Sequence, residues 1–203
     1  MLRPVVVAVG ALCLLAPLPA SAQWGCDAAA NLTTNCAFEG GIQGWDPMGA
    51  SFTHVQDGHF TPGSLEIEAG GTMGYQAEAT QCIDGLSGIA QVDVGFWVKA
   101  VSGTTMYCST SISQYASTGC TSGYISFSWV EREAFTAGWD WVGGSFDLDP
   151  TVSSLYLNVS CSHHIDPFTV RFDDIYLGPG VEPPLFADGF ESGDVGGWDT
   201  AVR

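Results

Sequence analysis

Positive charge is almost missing from this chain: 5 Lys and Arg stand against 22 Asp and Glu in 203 residues, a formal charge of −17. A polyanion of this kind has nothing with which to grip a phosphate backbone, so nucleic acid is excluded as a partner. Helical periodicity is also missing, since no long window repeats its apolar residues at spacings of three and four. No apolar run reaches the roughly 20 residues that span a bilayer, which argues against membrane insertion. The Cys-x-x-Cys spacing of zinc sites, the Gly-x-Ser-x-Gly elbow, the zinc-protease His-Glu pair and the phosphate loop do not occur either, and the chemistry each supports goes with them. Glycine is abundant, at 26 residues, and 46% of the side chains are hydrophobic, enough for one sizeable core in a chain of this length.

The first 22 residues read as a secretion signal. Arg3 precedes an apolar run from Val5 to Leu18, and Ala20-Ser21-Ala22 supplies the small-x-small pattern of signal peptidase, which places cleavage after Ala22. The expected location is secreted or extracellular, with cell surface and periplasm both open; a retained N-terminal anchor is the alternative use of the same run. Beyond the signal lie Cys26, Cys36, Cys82, Cys108, Cys120 and Cys161, an even set bound for an oxidising compartment, and three disulfides are expected. Sequence does not choose among the fifteen ways of pairing them. Short loops favour Cys26 with Cys36 and Cys108 with Cys120, which leaves Cys82 with Cys161.

The remainder alternates in the manner of strands punctuated by Gly, Ser and Thr. Val92, Val94, Phe96 and Val98 share one face of a strand over 91–99, with Gln91, Asp93, Trp97 and Lys99 on the other. Leu65, Ile67 and Ala69 alternate with glutamates; Ile125, Phe127 and Trp129 alternate with Tyr124, Ser126 and Ser128; Leu155, Leu157 and Val159 alternate with Tyr156, Asn158 and Ser160. Val142, Phe146 and Leu148 mark another inward set. The pattern predicts an all-β fold, a two-sheet antiparallel jelly-roll β-sandwich over residues 23–178. In its last strand Val170 and Phe172 share one parity while Ile175 and Leu177 share the other, so a β-bulge is expected at Asp173-Asp174, the alternative being a strand buried on both sides. A Pro/Gly linker over 179–184 leads into an acidic tail over 185–203, where Phe190-Glu191-Ser192-Gly193 and Gly197-Trp198-Asp199 echo Phe38-Glu39-Gly40-Gly41 and Gly44-Trp45-Asp46.

Four stretches in order carry a family resemblance. Asn31-Leu32-Thr33-Thr34-Asn35-Cys36-Ala37-Phe38-Glu39 with Gly44-Trp45, then Val94-Gly95-Phe96-Trp97-Val98-Lys99-Ala100, then Gly138-Trp139 through Gly144-Ser145-Phe146, and finally Phe172-Asp173-Asp174-Ile175-Tyr176-Leu177 resemble cleft-type carbohydrate-binding modules related to families four, nine and twenty-two. The resemblance covers residues 31–177 and implies a structural calcium at Glu39, Asp173 and Asp174. Several carboxylate oxygens are what a hard cation takes; solvated carboxylates of an acidic protein are the alternative.

Sugars offer apolar C–H faces and hydroxyl edges, so a binder presents flat aromatics beside amides and carboxylates. Parity places Trp97, Gln91 and Asp93 on outward faces, and likewise Tyr124, Tyr156, Asn158 and Trp141. If these faces belong to one concave sheet, the seven residues form a cleft for a polysaccharide or other glycan. Trp45 and Trp129 read as packing, and the stretch from Ser109 to Gly119 reads as a Ser/Thr-rich loop beside the mouth of the cleft. The resulting expectation is a secreted, non-catalytic glycan-binding protein. The alternatives are an extracellular structural or adhesion protein using the sandwich as scaffold, and a small glycan-cleaving enzyme using Glu131 or Glu133. His163-His164, and His54 with His59, read as solvated loop residues rather than a transition-metal site. The sequons at Asn31 and Asn158 decide nothing, and oligomeric state leaves no mark in the sequence.

Overall fold

The structure, a computed structural model, describes Cys26 and residues 30–70, 75–103, 106–133, 138–163 and 166–180, with the backbone alone at 132 and 133. The expected signal sequence 1–22, the expected tail 185–203 and residues 181–184 of the expected linker lie outside the described residues.

Among the described residues alternation has produced ten strands: β1 (Asp46–Met48), β2 (Ser51–Val55), β3 (Ser64–Ala69), β4 (Tyr75–Asp84), β5 (Gln91–Ser102), β6 (Tyr107–Tyr115), β7 (Tyr124–Glu133), β8 (Trp139–Asp147), β9 (Ser154–His163) and β10 (Phe168–Pro179). They form a front sheet, β1-β4-β9-β6-β7, and a back sheet, β2-β3-β10-β5-β8. Every pairing is antiparallel. This is the jelly-roll sandwich that the sequence predicts. The inward faces carry Ala77, Ala79, Ile112, Leu155, Leu157 and Val159 from the front, and Leu65, Ile67, Val94, Phe96, Val170 and Phe172 from the back, all buried. Each large apolar side chain withdrawn from water in this way contributes roughly 1.5–3 kcal/mol. Trp45 is buried as expected, its Nε1 donating to the Asn35 carbonyl at 3.1 Å.

Two bulges set the parities that matter. In β10 the register against β5 slips between Asp173 and Tyr176, with Asp174 at φ 46°, so Ile175 and Leu177 return to the core. The expected bulge at Asp173-Asp174 is therefore present. A second slip lies between β6 and β7, where Gln114 faces Ser126 but Tyr115 faces Tyr124. Ile125 is the extra residue, and beyond it the inside and outside of β7 exchange. Phe127 and Trp129 consequently point outward, 53% and 58% exposed, and the expectation that they pack inward is corrected.

The disulfides are Cys26–Cys36, as expected, together with Cys82–Cys120 and Cys108–Cys161. The expected Cys108–Cys120 and Cys82–Cys161 pairs fail because Ser109 to Tyr115 is not a loop but part of a straight strand. At about 3.4 Å per residue, that strand carries its far end about 24 Å from Cys108. Cys108 instead stands opposite Cys161 in the β6–β9 register. Cys120 sits in a 3₁₀ turn (Thr118–Cys120) that folds back to Cys82 on β4.

Candidate functional site

Register decides which of the seven expected ligand residues meet. Tyr124, Tyr156 and Asn158 lie on the front sheet; Gln91, Asp93, Trp97 and Trp141 lie on the back sheet. The expected single cleft does not exist, because the two sets occupy opposite outer faces of the sandwich. Nor are all of them wet, since Asp93 is only 4% exposed.

On the front face the rungs can be read across four strands. Trp129 of β7 stands beside Ser111, Asn158 and Thr80; Phe127 beside Ser113, Tyr156 and Cys82; Glu131 beside Ser109, Ser160 and Glu78. Serines thus floor the middle of the sheet, while Trp129, Phe127 and Tyr124, the last 61% exposed, stand along one margin. With strands about 4.8 Å apart, Trp129 faces Asn158 across a trough about 10 Å wide. The polar groups are aimed by their neighbours: Asn158 Nδ2 donates to Glu78 Oε2 at 2.8 Å, Tyr156 Oη to Thr80 Oγ1 at 3.0 Å, and Ser109 and Ser160 share a hydrogen bond of 3.0 Å. The β6–β7 connection walls this face at one end. Cys120 is bonded to Cys82, Gly119 N donates to Asp84 Oδ1 at 2.8 Å, and Cys120 N donates to Ser154 Oγ at 3.0 Å. Sequence reasoning missed Trp129 and Phe127 because a bulge hid their parity; serines at every second position of 109–113 were the signal for the floor.

The back face is partly roofed by the β2–β3 connection. Asp57 accepts from Lys99 Nζ at 3.1 Å and from Arg171, whose Nε also donates to Glu66 Oε2 at 2.8 Å. The hydrogen bond from Lys99, with the Arg171 charge, holds the Asp57 carboxyl below the usual range. His59 stacks on Trp97 with centroids 3.9 Å apart and planes 24° apart. Gln91 Nε2 donates to Asp147 Oδ1 at 3.0 Å, and Asp93 accepts from Ser145 Oγ. Burial, with the neighbouring Asp93 charge, pushes the Tyr176 phenol up.

Asp173 and Asp174 are buried side by side on the bulge. Asp173 Oδ2 accepts from His59 N at 2.6 Å and Oδ1 from Asp174 N at 2.8 Å, while His59 Nδ1 lies 3.4 Å from Asp174 Oδ2. Burial first, and then the Asp174 charge, push Asp173 up to about 8. Burial lowers the His59 pKa against the opposing pull of Asp174. Glu39 is exposed, and among the described residues no three His, Cys, Asp or Glu side chains converge as a ready cation cage. What does converge is backbone oxygen: the carbonyls of Thr61 and Gly63 and Asp173 Oδ2 crowd Gly58, and the carbonyls of Ala37 and Phe38 crowd Gly63. Two carboxylates among carbonyls are a donor set that fits calcium. The histidines expected in solvated loops are placed otherwise: His54 lies in β2, His163 in β9, and His59 packs on Trp97, while His164 lies outside the described residues. Asn31 is used structurally, its Oδ1 accepting from Thr33 N at 3.1 Å and Leu177 N at 3.2 Å.

No curated protein matches the chain. Among solved structures it resembles TmCBM61 in complex with β-1,4-galactotriose (TM-score 0.54, 19% identity, covering 74% of this chain and 99% of that one). It also resembles a Family 16 Carbohydrate Binding Module-2 (0.52, 19%, 72% and 99%). A third likeness is to the CBM22-1–GH10 modules of Clostridium thermocellum xylanase 10B complexed with xylohexaose (0.56, 15%, 75% and 29%). At these identities the likeness is one of fold. The family model described as carbohydrate binding domain matches residues 30–163, and those residues hold both the serine-floored front face and the opening segment latched to β10. The chain belongs to the carbohydrate binding domain family, CBM_4_9.

Proposed function

We propose that the protein is a secreted, non-catalytic glycan binder whose ligand lies in the front-face trough. The observation that carries this reading is the exposure of Tyr124, Phe127 and Trp129 along one margin of a serine floor that ends at the Asn158–Glu78 pair. Rings in such a place stack on sugar C–H faces while serine, amide and carboxylate groups take the hydroxyls. Membership of the family supports the ligand class, and three disulfides support an oxidising compartment. Among the described residues no helix is long and apolar enough to cross a membrane. The cleaving alternative would use Glu131 or Glu133 of the edge strand β7, where Glu131 is exposed to solvent, and product analysis on oligosaccharides tests it. A glycan array probed with the native protein and with Trp129→Ala tests the reading. Binding lost in the variant upholds it; an array blank for the native protein favours the scaffold alternative.

Calcium belongs to the same proposal. Asp173 and Asp174 would hold it with backbone carbonyls of the 58–63 and 37–38 segments, Glu39 adding charge nearby. The ion would neutralise the carboxylate pair where the opening segment, the β2–β3 connection and β10 meet.

A further inference from the structure

We propose that the back sheet carries a second sugar site, a pocket for a single pyranose ring at the end or branch of a glycan. The proposal goes beyond the trough and borrows from it only the class of ligand. A cavity of about 310 Å³ opens on the face opposite the trough, lined by Asp93 and Trp97 of β5 and by Trp141, Gly143, Gly144 and Ser145 of β8. That volume is at the small end of ligand pockets, roughly 300–1,000 Å³, and fits one ring rather than a running chain.

Its walls are built rather than incidental. Gly95 and Gly143 face each other in register, and a β-carbon on either would strike the Trp141 indole, which therefore rests flat on bare backbone. Trp97 is fixed from behind by His59, and the two indoles meet at 59° with centroids 5.7 Å apart, giving two aromatic planes at an angle. Opposite them Asp93 is held by the Ser145 hydroxyl, so a carboxylate and a hydroxyl border the same cavity on rigid strands. Indole planes beside fixed polar groups select a ligand with one apolar face and a hydroxylated edge, which describes a pyranose. The cavity is bounded along the sheet as well: the β2–β3 connection places Phe60 beside Trp97, and Gly180 N is tied to the Gln91 carbonyl at the other end.

The test uses the ¹⁵N-labelled native protein titrated with methyl glycosides of glucose, galactose, mannose and xylose at millimolar concentration. At least one should shift the indole N–H signals of Trp97 and Trp141 and the Ser145 amide saturably, the shifts surviving Trp129→Ala and weakening more than tenfold in Trp141→Ala. If none of these sugars moves the two indoles, or if methylammonium alone does, the pyranose site is overturned. The native titration decides even where Trp141→Ala fails to fold. Failure of the trough reads out separately: an oligosaccharide that leaves the Trp129 signal unmoved in Trp141→Ala removes the trough and leaves the pocket standing.

Discussion

The two outer faces start from the same material, alternating aromatic and polar side chains on five strands, and end differently because of what lies above them. The front face keeps Trp129, Phe127 and Tyr124 exposed over serines. The back face has a connection laid across it, with His59 on Trp97 and Asp57 pinned by Lys99 and Arg171, and a small opening lies beside Trp141. An outward tryptophan is therefore not evidence of a platform. The size of the uncovered area around it sets the size of ligand it can meet, which is why a chain is proposed for the front and a single ring for the back.

The largest expected effect divides the faces by pH and cation. Asp173 titrates near 8 in the folded state against an ordinary 3.8, so the native protein holds a proton that the unfolded chain gives up. In chelator, stability should then fall as pH rises from about 4 to about 8, and calcium should reverse the fall by taking the proton's place. Melting curves at pH 5 and pH 8, with and without millimolar calcium, check this; identical curves at pH 8 remove the calcium site. Next, Trp129→Ala should cost at least tenfold in oligosaccharide affinity by calorimetry, about 1.4 kcal/mol, with the melting temperature nearly unchanged because the ring is exposed. Gly95→Val is its mirror image: the new side chain displaces Trp141, costing about 1–3 kcal/mol in denaturant unfolding while trough binding persists. The smallest effect belongs to Asp57→Asn, under about 1 kcal/mol for a half-exposed ion pair. Because its pKa is depressed, the stabilisation it gives is present above the unfolded value and lost as pH falls through the folded one, which an acid titration of native and variant separates.

How much of this was legible in the sequence depended on whether a parity break left a trace. The bulge at Asp173-Asp174 did, because inward residues on either side of it differ in phase. The bulge at Ile125 did not: Ile125, Phe127 and Trp129 alternate without a fault, and only the register with β6 shows that the first of them is surplus. Strand membership was equally invisible. Trp97 and Tyr156 both oppose core residues, and nothing local says that β5 and β9 belong to different sheets. Cysteine pairing followed register rather than separation, so Cys108 found Cys161 across one rung instead of the nearer Cys120.

That Cys108–Cys161 rung joins β6 to β9, the two strands whose outer sides floor the trough. A protein anchored to a stiff polymer is tugged whenever polymer or solvent moves, and hydrogen-bonded ladders yield to such loads by sliding one strand along its neighbour. A slip of one residue would turn the serines inward and the core outward. The covalent rung holds the two strands in step under traction, so the proposed recognition surface would keep its shape when pulled and would creep once the bond is reduced.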